Sequence, residues 1–154
     1  MTKKFLISLS VTFVLTTVPN ADAQQQPKIP KIGWLAAAPR SAVPGGPTDL
    51  LWQELRKLGY FEGKNIVTEY RYADNKLDRL PALADELVRL KVDLIVTGGG
   101  NTAMAAKKAT STIPIVAMNL SDPVASGLVD SLARPGGNIT GFSIMASVLA
   151  SKRL

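Results

Sequence analysis

Residues 93–102 read Asp93-Leu94-Ile95-Val96-Thr97-Gly98-Gly99-Gly100-Asn101-Thr102, an apolar run that passes through three glycines into an alanine-rich stretch. A short apolar run bounded by turn residues is typical of a strand that is buried on both faces. The residues after the glycines favour a helix that opens at Asn101 or Thr102 and ends near Thr110. This stretch therefore predicts one strand–helix unit of an α/β sheet.

The same alternation of strand and helix recurs along the chain. Strands are predicted at 32–36, 66–72, 93–97, 113–118 and 139–142, and helices at 48–58, 78–90, 101–110 and 124–134. The polar alternation of 66–72 suits an edge strand, and Asp78 can cap the second helix. Short connections favour right-handed crossovers. The predicted fold is a three-layer α/β domain with a mostly parallel five-stranded sheet.

The amino terminus has the parts of an export signal. Lys3 and Lys4 give a basic start, residues 5–18 are apolar, and Ala21-Asp22-Ala23 supplies the small residues of a cleavage site. We expect a signal peptide over 1–23, cleavage before Gln24 and a periplasmic product; the alternative is an uncut membrane anchor. Residues 24–30 are polar and contain proline, so they are predicted to form a linker.

Composition excludes several classes of function. The chain has no histidine and no cysteine, which excludes Ser-His and Cys-His catalysis and imidazole or thiolate metal sites. Its net charge of +6 comes from scattered basic residues, so no nucleic-acid partner is predicted. Residues 98–102 lack the spacing of dinucleotide and Walker motifs, and no cofactor is predicted.

Topology points to the loops after strands one, three and four, because ligands of α/β sheets collect outside the carboxyl ends of the strands. The turn at 98–102 can hold a carboxylate with helix-terminal N–H groups and the Thr102 hydroxyl; the alternative is a tight turn that needs glycine. Asn119 and Ser121 can donate hydrogen bonds to a ligand from the exit loop 119–122. Asp122, before Pro123, is expected to cap a helix rather than bind ligand.

Six segments together resemble the substrate-binding components of ABC-type importers, in the group related to tryptophan- and tyrosine-binding members. They are KIGWL at 31–35, LGYFEGKNI at 58–66, DRLPALA at 78–84, AKKATSTIPIV at 106–116, SDPV at 121–124 and LARPGGNITG at 132–141. The resemblance implies a type 1 periplasmic binding fold, in which a ligand is clamped between two α/β lobes. It implies capture of a small solute, possibly an amino acid, and partnership with the importer's membrane subunits, with no enzymatic activity.

The family's ligand-facing loops map onto the same strand ends that topology indicates. The candidate ligand-binding residues are Ala37, Ala38, Gly98, Gly99, Gly100, Asn101, Thr102, Asn119, Ser121 and Asp122.

The chain is shorter than the family pattern, whose members run to about twice this length because large chains split into domains. We interpret 31–150 as the first lobe and 151–154 as the start of a second, so solute capture is expected to be impaired by truncation. One alternative is an exported flavodoxin-like enzyme, for which Ser143 in a strand-to-helix turn is the only candidate nucleophile. Another is a non-functional fragment or a ligand-sensing lobe.

Overall fold

The computed structural model describes residues 28–40 and 47–143. The signal peptide predicted at 1–23, the beginning of the linker and the predicted start of a second lobe at 151–154 lie outside these residues. The described elements are β1 (Lys31–Ala36), α1 (Pro47–Lys57), β2 (Val67–Tyr72), α2 (Leu80–Arg89), β3 (Leu94–Thr97), α3 (Gly100–Ala109), β4 (Ile115–Leu120) and β5 (Ile139–Ser143).

The five strands form one parallel sheet in the order β2-β1-β3-β4-β5. This confirms the predicted sheet and the edge position of β2. Chain order reverses direction between β1 and β3, which is the switch point where ligand sites of such sheets form. In register, Trp34 of β1 is flanked by Tyr70 of β2 and Val96 of β3.

Two separate apolar cores cover the two faces of the sheet. The larger core lies under α2 and α3 and includes Leu35, Ile95 and Ile115, which are fully buried. Burial of side chains of this size contributes about 1.5–3 kcal/mol each. The smaller core lies under α1 and includes Trp34 and Trp52. The helices therefore form the outer two layers, as predicted, and Trp34 is a buried core residue.

The helix predicted at 124–134 is not present. A single turn follows Pro123, in which Leu128 N–H donates to the Pro123 carbonyl at 2.9 Å. Gly127 then adopts a φ of 70°, a left-handed conformation that ends the turn. Leu128 is still buried in the larger core, and Lys107 Nζ donates to its carbonyl at 2.9 Å. Leu128 and Val129 thus cover the sheet from an irregular loop, whereas Val124 and Leu132 of the same segment are exposed.

The start of α2 and the end of β4 differ from the sequence predictions, whereas the cap at Asp122 is confirmed. Asp78 lies inside a 3₁₀ turn at Leu77–Arg79, and no side chain caps α2. β4 begins at Ile115 and ends at Leu120, so each end lies two residues later than predicted. Residues 119 and 120 therefore belong to the strand and not to its exit loop. Asp122 does act as a cap: its Oδ1 accepts from Val124 N–H at 3.1 Å and Ala125 N–H at 2.9 Å, although only a turn follows.

The first helix follows its predicted bounds within a residue, and only some of its leucines pack against the sheet. Leu51 and Leu55 pack with Trp52 against the sheet. Leu50 is 54% exposed, and Leu58 lies beyond the helix end and is 74% exposed. A one-residue step turns a helical side chain by about 100°, which takes Leu50 off the buried face.

Candidate functional site

A cleft of about 690 Å³ lies at the carboxyl ends of β1, β3 and β4, where topology predicts a site. Its wall is completed by α1, by β2 and by the segment between them. The lining residues are Trp34, Ala36, Ala37, Ala38, Pro39, Arg40, Thr48, Asp49, Trp52, Gln53, Arg56, Glu62, Tyr70, Tyr72, Gly98, Gly99, Gly100, Asn101, Thr102, Met118 and Asn119.

Most of the sequence-predicted site residues meet in this cleft. Ala37, Ala38, the run 98–102 and Asn119 all line it. Ser121 and Asp122 do not; they line a neighbouring depression of about 380 Å³ that shares Gly100 and Asn101 with the cleft. The predicted exit loop 119–122 is thus divided: Asn119 lines the cleft from the end of β4, whereas Ser121 and Asp122 lie outside the cleft.

The glycine turn connects β3 to the start of α3. Gly99 N–H donates to Thr102 Oγ1 at 3.1 Å, and Thr102 Oγ1 donates to the Gly99 carbonyl at 2.8 Å. The Thr102 side chain is 99% buried in this arrangement, so its hydroxyl is engaged within the turn rather than free for a ligand. The first N–H groups of α3, from Gly100 and Asn101, have no carbonyl one helical turn earlier to donate to. These groups make the turn electropositive at the cleft.

Asn119 lies at an irregularity of β4. Its φ is 55°, and the register of β4 with β5 shifts between Ala117 and Leu120. Asparagine tolerates the left-handed region better than most residues with a Cβ. Bulges re-aim side chains and are frequent beside functional sites. This irregularity leaves Asn119 exposed and lining the cleft.

The aromatic wall of the cleft was not among the site residues predicted from the sequence. Trp34, Trp52, Tyr70 and Tyr72 all line it. The two tyrosine rings stack with centroids 6.1 Å apart and planes 5° apart, and the Arg40 guanidinium lies 5.4 Å from the Tyr70 ring centroid. The alternation of β2 indicates that Tyr70 and Tyr72 share a face, because residues two apart in a strand do so. Only the pairing of β2 with β1 places this face beside Trp34.

Glu62 adds a carboxylate to this wall. The Tyr70 hydroxyl donates to Glu62 Oε1 at 3.0 Å. Burial and this hydrogen bond to Glu62 raise the pKa of Tyr70 to about 12, and burial also raises the pKa of Tyr72. Both phenols are therefore neutral at physiological pH. Arg40, Asp49 and Arg56 are the other charged residues that line the cleft.

Within residues 28–40 and 47–143, no three His, Cys, Asp or Glu side chains lie close enough to hold a metal ion. No helix in the same ranges is long and apolar enough to cross a membrane. Ser143, the candidate nucleophile of the enzyme alternative, is the last residue of β5 and does not line the cleft. The residues that follow Ser143 lie outside the described part of the chain, so the strand-to-helix turn there stays a prediction.

A family model and several known proteins are similar to this chain in sequence or in fold. The family model for ABC transporter substrate binding proteins matches residues 49–153. A tyrosine-binding protein of Clostridioides difficile strain R20291 is 39% identical over 94 residues, which are 61% of this chain and 27% of that protein.

Solved structures agree. The ligand-free, open structure of a substrate-binding protein with adhesive properties from Clostridium difficile is 35% identical, with a TM-score of 0.68 over 75% of this chain and 39% of that one. A conserved domain protein of Vibrio cholerae O1 biovar El Tor is 31% identical, with a TM-score of 0.71 over 81% of this chain and 42% of that one.

These matches confirm the resemblance stated from the six segments, and the sheet corresponds to a lobe of the periplasmic binding fold. The chain spans less than half of the length of the relatives it matches. Since the family model covers more than half of its 154 residues, the chain belongs to the ABC transporter substrate-binding protein family.

Proposed function

We propose that this chain contributes the first lobe of a protein that captures a small solute for an ABC-type importer. The observation that carries the proposal is the cleft at the switch point of the sheet, which has an electropositive turn on one side and an aromatic wall on the other. Family membership supports the same role. A solute with an anionic group and an apolar body fits this combination of surfaces.

The anionic group is assigned to the turn at 98–102. The N–H groups of Gly100 and Asn101 open α3 without intrahelical acceptors, and the positive end of the helix dipole favours a negative charge there. The exposed side chain of Asn119 adds an amide donor on the neighbouring strand end. Ala37 and Ala38 supply small side chains that let a ligand approach the end of β1. We retain Ser121 and Asp122 only as residues of the adjoining depression.

The apolar body is assigned to the wall formed by Trp34, Trp52, Tyr70 and Tyr72. Aromatic rings pack well against other rings and leave their polar tips for hydrogen bonds. The similarity to a tyrosine-binding protein supports an aromatic amino acid as the solute. No cofactor is needed for this role.

Export to the periplasm belongs to the same proposal. The basic start, the apolar run and the Ala21-Asp22-Ala23 site support removal of residues 1–23. Amino-terminal sequencing of protein from the periplasmic fraction should then read from Gln24. Recovery of a Met1 start, or of cytoplasmic protein alone, would contradict the transport role. The importer's membrane subunits are the proposed macromolecular partner, once a second lobe completes the clamp.

A non-enzymatic role is preferred to the flavodoxin-like enzyme. Without histidine or cysteine the chain lacks the usual nucleophile–base pairs. Among the described residues that line the cleft there is no serine, so their hydroxyl groups come from threonine and tyrosine.

Tryptophan fluorescence tests the proposal, because Trp34 and Trp52 both line the cleft and are the only tryptophans of the sequence. We expect saturable changes with L-tyrosine or L-phenylalanine, and none with L-lysine or glucose. Equal responses to all four probes, or to none, would remove the proposed function. A Trp52→Phe variant should lose part of the signal if the solute binds beside this helix.

A further inference from the structure

We propose that Glu62, held by Tyr70, is a specificity-determining residue that selects solutes carrying a hydroxyl or ammonium donor at the end opposite their carboxylate. This inference rests on the proposed function, because it assumes that the carboxylate of the solute lies at the turn 98–102. It adds a second polar contact at the other side of the same cleft.

The segment between α1 and β2 fixes the position of Glu62. Asn65 ties it together: its Oδ1 accepts from Phe61 N–H at 2.7 Å, and its Nδ2 donates to the Gly59 carbonyl at 2.8 Å. Gly63 N–H donates to the Ile66 carbonyl at 2.8 Å. The carboxylate of Glu62 is thus presented by a hydrogen-bonded turn rather than by a loose loop.

Tyr70 orients the carboxylate and leaves it acceptor capacity. Its hydroxyl donates to Oε1, and no ion pair of Glu62 is present in the described part of the chain. Because the pKa of Tyr70 is raised to about 12, its proton stays on the phenol, and Glu62 Oε1 is the acceptor of this hydrogen bond. A carboxylate accepts several hydrogen bonds, so the remaining oxygen suits a donor from the solute.

Distance along the sheet makes this contact selective. The glycine turn follows β3, Tyr70 lies on β2, and β1 separates the two strands. Two strand spacings measure about 10 Å. A solute that reaches both ends must therefore be elongated, with its apolar body along Trp34 and the stacked tyrosines. The cleft volume of about 690 Å³ accommodates such a molecule.

A solute without the distal donor would exclude solvent from the Glu62 carboxylate without donating a hydrogen bond to it. Sites that hydrogen-bond a ligand hydroxyl reject the analogue that lacks it, because the buried partner is left unpaired. Glu62 is exposed in this structure, so we expect discrimination of about tenfold rather than the larger ratios of closed sites.

The test compares L-tyrosine, 4-(aminomethyl)-L-phenylalanine and L-phenylalanine by competition in ligand-observed NMR, with the whole chain and three variants. Glu62→Ala removes the acceptor, Tyr70→Phe removes the group that positions it, and Glu54→Ala is the matched control. Glu54 is an exposed carboxylate paired with Lys57 and does not line the cleft. Circular dichroism checks the fold of each variant.

The two donor-bearing probes should bind about tenfold more tightly than L-phenylalanine to the unaltered chain and to Glu54→Ala. That ratio should fall towards one in Glu62→Ala and take an intermediate value in Tyr70→Phe, while phenylalanine affinity changes little. Preference for only one of the two donor-bearing probes identifies the donor, hydroxyl or ammonium, and supports the role of Glu62. Equal binding of all three probes, or a ratio unchanged in Glu62→Ala, would overturn this inference and leave the proposed function standing. Absence of binding by every probe would overturn both.

Discussion

The side chain of Thr102 and the backbone of Gly99 are joined by two hydrogen bonds, of 3.1 and 2.8 Å, that close the turn between β3 and α3. Thr102 therefore shapes the proposed anion site without offering its hydroxyl to the solute. We expect Thr102→Val to lower the free energy of unfolding by about 1–2 kcal/mol, because a helix-start hydrogen bond is lost.

Thr102→Ser is the matched control, since it keeps the hydroxyl, and urea denaturation measures both variants. The serine variant should lose less stability than the valine variant. Binding of a carboxylate solute should weaken in Thr102→Val, through displacement of the turn. If the valine variant unfolded at the same urea concentration as the parent chain, the assignment of this turn would be wrong.

Two substitutions of Asn119 separate the effect of its backbone conformation on stability from the effect of its side chain on binding. Its φ of 55° suits glycine, whereas alanine is strained by about 1–2 kcal/mol in this region. We expect Asn119→Gly to retain stability within about 0.5 kcal/mol and Asn119→Ala to lose about 1 kcal/mol in thermal denaturation. Both should weaken solute binding equally, because both remove the amide. Unchanged affinity in the glycine variant would exclude Asn119 from the binding site.

Gly141 of β5 packs directly against the backbone of β4. A Cβ at this position would lie 1.9 Å from the carbonyl oxygen of Ala117, which cannot move without disturbing the sheet. We expect Gly141→Ala to cost about 1–3 kcal/mol or more. Gly137→Ala is the control, because a Cβ there meets nothing within 4 Å, and it should change stability by less than about 0.5 kcal/mol. Equal melting temperatures for the two variants would contradict the close approach of β4 and β5.

Alkaline pH tests the environment of Tyr70. Its pKa is raised from 10.0 to about 12, so the folded state binds the phenolic proton more tightly than the unfolded state does. The stabilisation from this group is complete below pH 10 and is lost as the pH rises from 10 to 12. Tyr70→Phe should therefore show a shallower loss of stability across this range than the parent chain.

Spectrophotometric titration of the phenols checks the cause of the shift. Glu62→Gln should lower the pKa of Tyr70 by removing the carboxylate, while burial keeps it above the ordinary value. Tyr72→Phe removes the other phenol of the cleft, whose pKa burial also raises, so that the raised titration of the cleft in this variant belongs to Tyr70. An unchanged pKa of Tyr70 in Glu62→Gln would contradict the contribution of the Glu62 carboxylate, and a Tyr70 that titrates at the ordinary value in the parent chain would contradict its burial as well.

Sequence patterns predicted the parallel sheet and the strand ends that line the cleft. Buried parallel strands such as β1 and β3 are continuous apolar runs, and the alternation of strands and helices fixes the end of the sheet where loops meet. The Gly98–Asn101 stretch and Ala37 were therefore predictable as cleft residues. The irregular backbone of 124–134 could not be predicted in the same way. The apolar residues of this segment have helical spacing, but Gly127 ends the helical turn after Pro123.

The aromatic wall was missed because it depends on pairing between distant segments. Tyr70 is half-exposed on an edge strand, and nothing local indicates that it lies beside Trp34 and receives Glu62 from the preceding turn. Only the strand order β2-β1-β3 places these side chains on one wall. The tertiary arrangement, rather than any motif, thus creates the surface assigned to the apolar part of the solute.

Residue-resolved NMR titration of the uniformly ¹⁵N-labelled chain with L-tyrosine tests the central claim most directly. We expect shifts confined to residues that line the cleft, with the largest at the backbone amides of Gly98 to Asn101, Ala37, Asn119, Glu62 and Tyr70 and at the indole N–H groups of Trp34 and Trp52. Because the described residues cover a solute from one side only, the affinity should be near the millimolar range, or about −4 kcal/mol. Shifts elsewhere on the surface, or none at saturating tyrosine, would contradict capture of an aromatic amino acid in this cleft.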